Sequence, residues 1–171
     1  NLTMDTPAGK TGDMAGIEIT LKTGWNFIGS PYPFQVPLQL DQVQFYGPLT
    51  YGISGESWSP VVTELDPWNG YVVYNRMSTD QIITLDPSIG SGTTVARKVE
   101  ESGWLVSLDL SSGTHGDHIN TLGALETAED ALEWHDNPEI RSPGTGVSLF
   151  FKLEGEALEL TSDIRLSLIH I

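Results

Sequence analysis

The stretch WNGYVVYN, residues 68–75, contains the strand that decides the fold. Side chains alternate between the two faces of a β-strand, so Tyr71 and Val73 are predicted to share one face. Val72 and Tyr74 then share the opposite face. Both faces are apolar, which is typical of a strand buried at the centre of a sheet. We therefore predict that this segment is a central, buried β-strand.

Short runs of alternating polar and apolar residues recur along the rest of the chain. They read IEITLK (17–22), WNFIG (25–29), VQFY (43–46), QIITL (81–85), TVARKV (94–99), WLVSLDL (104–110) and VSLFFKL (147–153). Period-two patterning in short segments predicts half-buried strands, and the clusters between them are rich in the glycine and proline that turns require. The sequence therefore predicts an all-β fold, an antiparallel β-sandwich.

The small-residue cluster DPSIGSG, residues 86–92, separates two groups of predicted strands. Such a break is typical of a linker between packed units. We predict a first β-rich unit at residues 15–86 and a second at residues 93–165, each sandwich-like and packed against the other. Residues 1–14 are expected to be a leading linker.

The charge of the chain limits its partners. The formal net charge is −15 and there is no cysteine. An acidic protein repels phosphate backbones, so we expect no nucleic-acid partner. The longest apolar run is far shorter than the roughly 20 residues of a membrane helix, so we expect no membrane insertion. Without cysteine, neither a disulfide framework nor a thiol nucleophile is available.

Two phrases carry a resemblance to a known kind of module. GWNFIGSPYPF (24–34), followed by LDPWNGYVVYN (65–75), resembles a β-rich module of large secreted or cell-surface proteins of Bacteroidota and related bacteria. Residues 104–143 are similar to a companion segment in such proteins. The resemblance implies a secreted or cell-surface location, association with type IX secretion, and neighbouring domains of the parent protein as partners. The final LSLIHI (166–171) resembles a translated sequencing adapter, and we expect it to be an artefactual tail.

The aromatic residues support two interpretations. Flat rings match the CH faces of sugars and amides supply hydrogen bonds, so the chain could be a carbohydrate-binding module with a glycan partner. The candidate binding residues are Trp58, Trp68, Tyr71 and Asn69. The alternative is core packing, in which Trp25 and Trp68 lie between the sheets. Trp58, in the polar stretch SGESWSP, is the aromatic that we expect to be exposed.

Residues 115–139 hold seven carboxylates, three histidines and no lysine or arginine. Hard oxygen ligands without a balancing cation are typical of calcium sites, so calcium is the candidate cofactor. Its candidate ligands are Asp117, Asn120, Asp130, Asp136 and Glu139. His115, His118 and His135 raise the alternative of a transition-metal site. The third interpretation is a solvated acidic loop, with one short helix or loop excursion near residues 127–136.

Enzyme motifs are incomplete in this sequence. AGKTG (8–12) lacks the earlier glycine of a phosphate-binding loop, and GISGES (52–57) lacks the final glycine of a nucleophile elbow. We therefore predict a non-catalytic structural or interaction module of a secreted or surface-attached bacterial protein. A carbohydrate-binding module is the alternative, and a calcium-stabilised adhesion domain is the third interpretation.

Overall fold

The structure is a computed structural model that describes residues 16–38, 40–52, 57–60, 64–88, 102–129, 131–141, 146–153, 155 and 157–166. The strands are β1 (Ile17–Leu21), β2 (Gly24–Gly29), β3 (Val36–Pro37), β4 (Phe45–Gly52), β5 (Ser57–Pro60), β6 (Glu64–Leu65), β7 (Gly70–Asn75), β8 (Gln81–Leu85), β9 (Gly103–Ser112), β10 (His115–Leu125), β11 (Phe151–Lys152), β12 (Glu159–Leu160) and β13 (Ser162–Arg165). The described residues contain no helix, which confirms the prediction of an all-β protein.

Strand pairing is mostly antiparallel. The largest sheet has the order β2-β7-β4-β5, and a second sheet has the order β13-β10-β9. The pairs β1-β8, β3-β6 and β11-β12 are separate ladders, and β10-β13 is a parallel pair. Among the described residues, every pairing joins strands within 17–85 or within 103–165. The unit boundaries at 15–86 and 93–165 stay predictions, as does the strand at 94–99, which lies outside the described residues.

Strand β7 is the buried centre of the largest sheet, as its sequence predicts. It pairs with β2 on one side and β4 on the other, and Tyr71, Val72 and Val73 are all buried. At its end the Asn75 side-chain amide donates to the carbonyl of Leu21 at 3.1 Å, while its carbonyl accepts from the Met77 amide at 2.9 Å. This buried amide therefore fixes the end of β1 to the large sheet.

One face of the large sheet packs on the main apolar core. This core gathers Tyr71 and Val73 of β7 with side chains from β1, β3, β6 and β8. Ile17, Ile19 and Leu21 contact it together, which matches their predicted common face. β1 lies antiparallel to β8 with Ile17 opposite Leu85, so the two ends of this segment are neighbours.

The opposite face packs on a smaller core. Leu49, Trp58 and Val72 form its buried centre, and Ile119 and Ile140 from later in the chain pack against them. The Trp58 indole N–H also donates to the carbonyl of Arg141 at 3.3 Å. The strands within residues 17–85 and those within residues 103–165 are thus joined by a core to which both groups contribute apolar side chains.

Strand β10 corrects the prediction of a solvated acidic loop. Its eleven residues, His115–Leu125, read HGDHINTLGAL and pair with β9 through most of their length. Asp117 and Asn120 are buried within it. Adjacent histidine, glycine and aspartate suggest a loop, but the side-chain oxygens of Asp117 and Asn120 accept hydrogen bonds from distant groups that the local pattern does not reveal.

The excursion near residues 127–136 is a loop rather than a helix over its described residues, with residue 130 outside them. The Glu133 carboxylate accepts from the Glu129 amide at 2.8 Å, and the Asp136 carboxylate accepts from the Glu133 amide at 3.0 Å. Side chains that bond nearby backbone amides offer the chain an alternative to helical hydrogen bonds. This competition explains why the described part of the excursion is a loop and not a short helix.

Candidate functional site

Two of the four candidate sugar-binding residues are buried. Trp58 is 8% exposed and packs edge-on against Tyr51, with ring centroids 5.1 Å apart. Tyr71 is 2% exposed, and its hydroxyl accepts a hydrogen bond from the Asp66 amide at 2.6 Å. Neither ring can meet a sugar in solution. The prediction that Trp58 is exposed is wrong, because its ring belongs to the smaller core, to which Ile119 and Ile140 also contribute.

Trp68, in contrast to Trp58, is exposed where the sequence predicts burial. Its side chain is 89% exposed, so the prediction that it lies in the core is wrong. The residue forms the turn before β7, with a backbone φ of 68°. Bulky residues rarely adopt this left-handed conformation, which favours glycine and asparagine. The indole is therefore in contact with solvent at this turn, and Asn69 beside it is also exposed.

A second exposed aromatic lies on the adjacent strand. Phe27 of β2 is 81% exposed, although Val72, its partner across the ladder, is buried. Two residues further along β2, Gly29 pairs with Gly70 on the same face. A Cβ on Gly70 would meet no atom within 4 Å, so this part of the surface is open. Phe27, Gly29, Gly70, Asn69 and Trp68 are called the aromatic strip below.

A buried polar cluster forms where residues 137–139 run beside β12. The Glu139 amide donates to the carbonyl of Glu159 at 2.9 Å, which places its side chain near Asp117 and Thr161. Asp117 accepts from the Leu149 amide at 2.7 Å. Thr161 donates to Asn120 at 3.4 Å. Asp117, Asn120 and Glu139, three of the five candidate calcium ligands, therefore come together.

The ionisation of Glu139 is strongly perturbed. Burial raises the pKa of its carboxyl to about 8 from an ordinary 4.5, and the negative charge of Asp117 raises it further. Hydrogen bonds from Ser148 and Thr161 oppose the rise. One carboxylate oxygen of Glu139 is buried and finds no hydrogen-bond partner among the described residues. Burial likewise raises the pKa of Tyr46, with Glu139 as the next cause.

Arg76 connects the large sheet to the same region. Its guanidinium donates to the carbonyl of Asp136 at 3.0 Å and to the side chain of Asn137. It also lies over the Tyr46 ring, 5.9 Å from the centroid. Burial lowers the pKa of Arg76, and the charges of Tyr46 and Asp136 oppose this. The guanidinium is therefore a structural tie between the end of β7 and the loop before β11.

The remaining candidate metal ligands are placed apart from this cluster or used elsewhere. Asp136 accepts from the Ile164 amide at 3.0 Å in addition to Glu133, and burial raises the pKa of its carboxyl. Asp130 lies outside the described residues. His118 contacts Asp109 at 3.2 Å and His135 contacts Glu133 at 2.7 Å.

Within the described part of the chain, no three His, Cys, Asp or Glu residues are grouped so that they could hold a metal ion. The pairs His118–Asp109 and His135–Glu133 are separate, so the three histidines do not converge there. A calcium site would have to be built from two carboxylates, Asp117 and Glu139, together with neutral oxygens. The calcium assignment itself stays a prediction.

Comparison with known proteins finds no match: no protein family, no curated protein and no solved structure corresponds to this chain. Nor does the described part of the chain include a helix long and apolar enough to cross a bilayer.

Sequence reasoning missed three residues that define these sites. The alternating pattern around Phe27 predicts a strand, but it does not reveal which face of β2 is exposed to solvent. Tyr46 and Arg76 meet residues 60 or more positions away, so only the folded chain brings them to Glu139 and Asp136. The one signal in the sequence is the residue type, because a tyrosine and an arginine near the ends of strands can form polar contacts with other segments.

Proposed function

We propose that the chain is a non-catalytic structural module of a secreted or surface-attached bacterial protein. It would act as a rigid spacer that docks against neighbouring domains of the parent protein, with its sheets stacked as a sandwich. The resemblance of residues 24–34 and 65–75 to modules of such proteins supports the location. The observation that carries the structural role is the shared core, in which Ile119 and Ile140 pack on the large sheet.

The polar groups that could suggest chemistry are used to hold distant segments together. Asp117 accepts from the amide of Leu149, 32 positions away. Asp136 accepts from the amide of Ile164, 28 positions away. The Ser162 hydroxyl donates to the carbonyl of His135 at 2.7 Å. Such bonds to backbone groups fix loop geometry and support a rigid body.

Rigidity can be tested by asking whether the two groups of strands unfold together. Ile140→Ala removes apolar contact from the shared core, and we expect it to lower the free energy of unfolding by about 1–2 kcal/mol because the side chain is half-buried. Hydrogen exchange followed by mass spectrometry should show the same loss of protection in β4, β7 and β10. If only β10 loses protection, the two groups unfold independently and the spacer proposal fails.

The matched control is Ile82→Ala. Ile82 is 63% exposed on β8, where its side chain points away from the main core. We expect this change to leave the free energy of unfolding within about 0.5 kcal/mol of the parent chain. The comparison separates loss of the shared core from the general effect of shortening an isoleucine.

A further inference from the structure

We propose that the aromatic strip is a binding surface for a neutral sugar chain. This function would be additional to the structural role and does not depend on it. Two large rings, Phe27 and Trp68, are almost fully exposed at the same end of the β2-β7 ladder. The paired Gly29 and Gly70 each lie two residues along the chain from one of these aromatic residues and carry no side chains, and Asn69 is an exposed amide next to Trp68.

The strip combines two features that suit a pyranose ring, exposed aromatic rings and an open stretch of backbone. The glycine pair forms a floor of bare backbone, and a Cβ on Gly70 would project into open space. Phe27 stands at one end of this floor because side chains two residues apart share a face of the strand. Trp68 precedes Gly70 by two residues, so its backbone lies beside the Gly70 end of this floor and its ring is in solvent there. Flat rings beside a flat floor suit the CH faces of a sugar, and the amide can donate to a hydroxyl.

The conformation of Trp68 favours a functional interpretation over a structural one. A large residue at φ 68° is energetically unfavourable, and glycine or asparagine would fit this turn better. The indole gains almost no burial in return, since it is 89% exposed. Strained backbone of this kind is concentrated at ligand-binding sites, where the side chain must be held in one place.

Charge identifies the ligand class. The chain carries a formal charge of −15, yet none of the five strip residues is ionisable. An acidic polymer would be repelled by the protein as a whole. A cationic ligand would find no carboxylate within the strip to pair with. A neutral oligosaccharide avoids both difficulties.

The size of the strip favours a small ligand over a second protein. A phenylalanine or tryptophan buries about 150–250 Å² in an interface, so the two rings supply roughly 400 Å². A stable protein interface buries about 800 Å² on each partner. The strip is therefore about half of what a stable dimer would need, but it matches a few sugar units.

Native affinity electrophoresis can test the proposal, because the strongly acidic chain migrates readily in such gels. The probes are the neutral polysaccharides xyloglucan, galactomannan, laminarin and soluble starch, with polygalacturonate as an anionic control. We expect at least one neutral polysaccharide to retard the chain and polygalacturonate to have no effect. Trp68→Asn should raise the dissociation constant for that polysaccharide by at least about tenfold, because it removes a central aromatic contact.

Trp68→Asn suits this test because asparagine tolerates the left-handed turn, so the thermal midpoint should be unchanged or higher. Gly70→Thr is an independent variant that fills the open floor with a residue suited to strands, and it should also abolish retardation. Trp104→Ala is the matched control, since Trp104 is 42% exposed on β9 and should be irrelevant to binding.

The proposal is overturned if no neutral polysaccharide retards the chain, or if Trp68→Asn and Gly70→Thr are retarded as strongly as the parent. It is also overturned if Trp104→Ala loses binding equally. Size-exclusion chromatography distinguishes the alternative occupant: a dimer that Trp68→Asn converts to a monomer would assign the strip to a second copy of this chain.

Discussion

Glu139→Gln tests the electrostatics of the buried polar cluster. In the parent chain, burial and the charge of Asp117 raise the Glu139 pKa to about 8 in the folded state, from 4.5 as its ordinary value. Between pH 4.5 and 8 the folded protein keeps a proton that the unfolded chain has released. The stabilisation that comes from this retained proton is therefore fully present below pH 4.5, and it is lost as the pH rises through about 8. Glutamine keeps the neutral form at every pH.

The magnitude follows from the size of the pKa change. Each tenfold change in an acid constant is worth about 1.4 kcal/mol, so the full rise corresponds to about 5 kcal/mol. Glu139 is only half-buried, and solvent screening of a partly exposed group reduces this to about 2 kcal/mol. We therefore expect Glu139→Gln to match the parent near pH 5 and to be more stable by about 2 kcal/mol at pH 9.

Urea unfolding at pH 5, 7 and 9 provides the measurement, with tryptophan fluorescence as the signal and a chelator present. Glu18→Gln is the control, because Glu18 is an exposed carboxylate on β1. The difference in the free energy of unfolding between Glu18→Gln and the parent chain should be nearly constant from pH 5 to pH 9. A Glu139→Gln difference that is equally constant would refute the reasoning, because it would mean that Glu139 is ionised in the folded protein throughout.

Three further changes have defined outcomes. Trp58→Ala should lower the free energy of unfolding by about 3–5 kcal/mol in urea titrations, because it empties the shared core; a change below 1 kcal/mol would contradict its burial. Gly47→Ala should lower the free energy of unfolding by about 1–3 kcal/mol, since φ is +104° and a Cβ would lie 2.8 Å from the Val72 carbonyl; an unchanged thermal midpoint would argue against this backbone conformation. If Asp117 and Glu139 hold calcium, millimolar calcium at pH 7 should raise the thermal midpoint and Glu139→Gln should remove that rise; an unchanged midpoint would dispose of the calcium assignment.

The sequence predicts strands β1, β2 and β7 well because their signal is local, whereas most of β4 and all of β5 fall outside the predicted runs. Tyr71, Val72 and Val73 are apolar on both faces, and this pattern is sufficient to predict a buried centre. Ile17, Ile19 and Leu21 alternate with polar residues, and they contact the core together. In each case the information lies within five or six consecutive residues, which is the range over which periodicity operates.

The two tryptophan assignments fail for a different reason. Hydrophobicity alone predicts burial for Trp68, but the turn before β7 directs its backbone into the left-handed region and its ring into solvent. Trp58 lies among serines and looks exposed, yet it is buried in a core that Ile119 and Ile140 complete from more than sixty positions away. Burial of an aromatic next to a turn is decided by tertiary packing, which one local segment does not encode.

The polar residues of β10 illustrate the same limit. Asp117 and Asn120 resemble loop residues, and isolated buried polar groups are costly. Their burial becomes favourable only when the Leu149 amide and the Thr161 hydroxyl arrive from later in the chain. Three members of the candidate calcium set therefore meet, and a network of distant hydrogen bonds brings them together.

The antiparallel pairing of β1 with β8 has a consequence for how such a protein can be assembled. Ile17 lies opposite Leu85, so a chain that enters this segment leaves it again at almost the same point in space. A segment with adjacent ends can be inserted into a surface loop of a host protein without stretching the host backbone. Grafting residues 16–86 into an exposed hairpin, or joining these ends and opening the chain elsewhere, should therefore be geometrically undemanding.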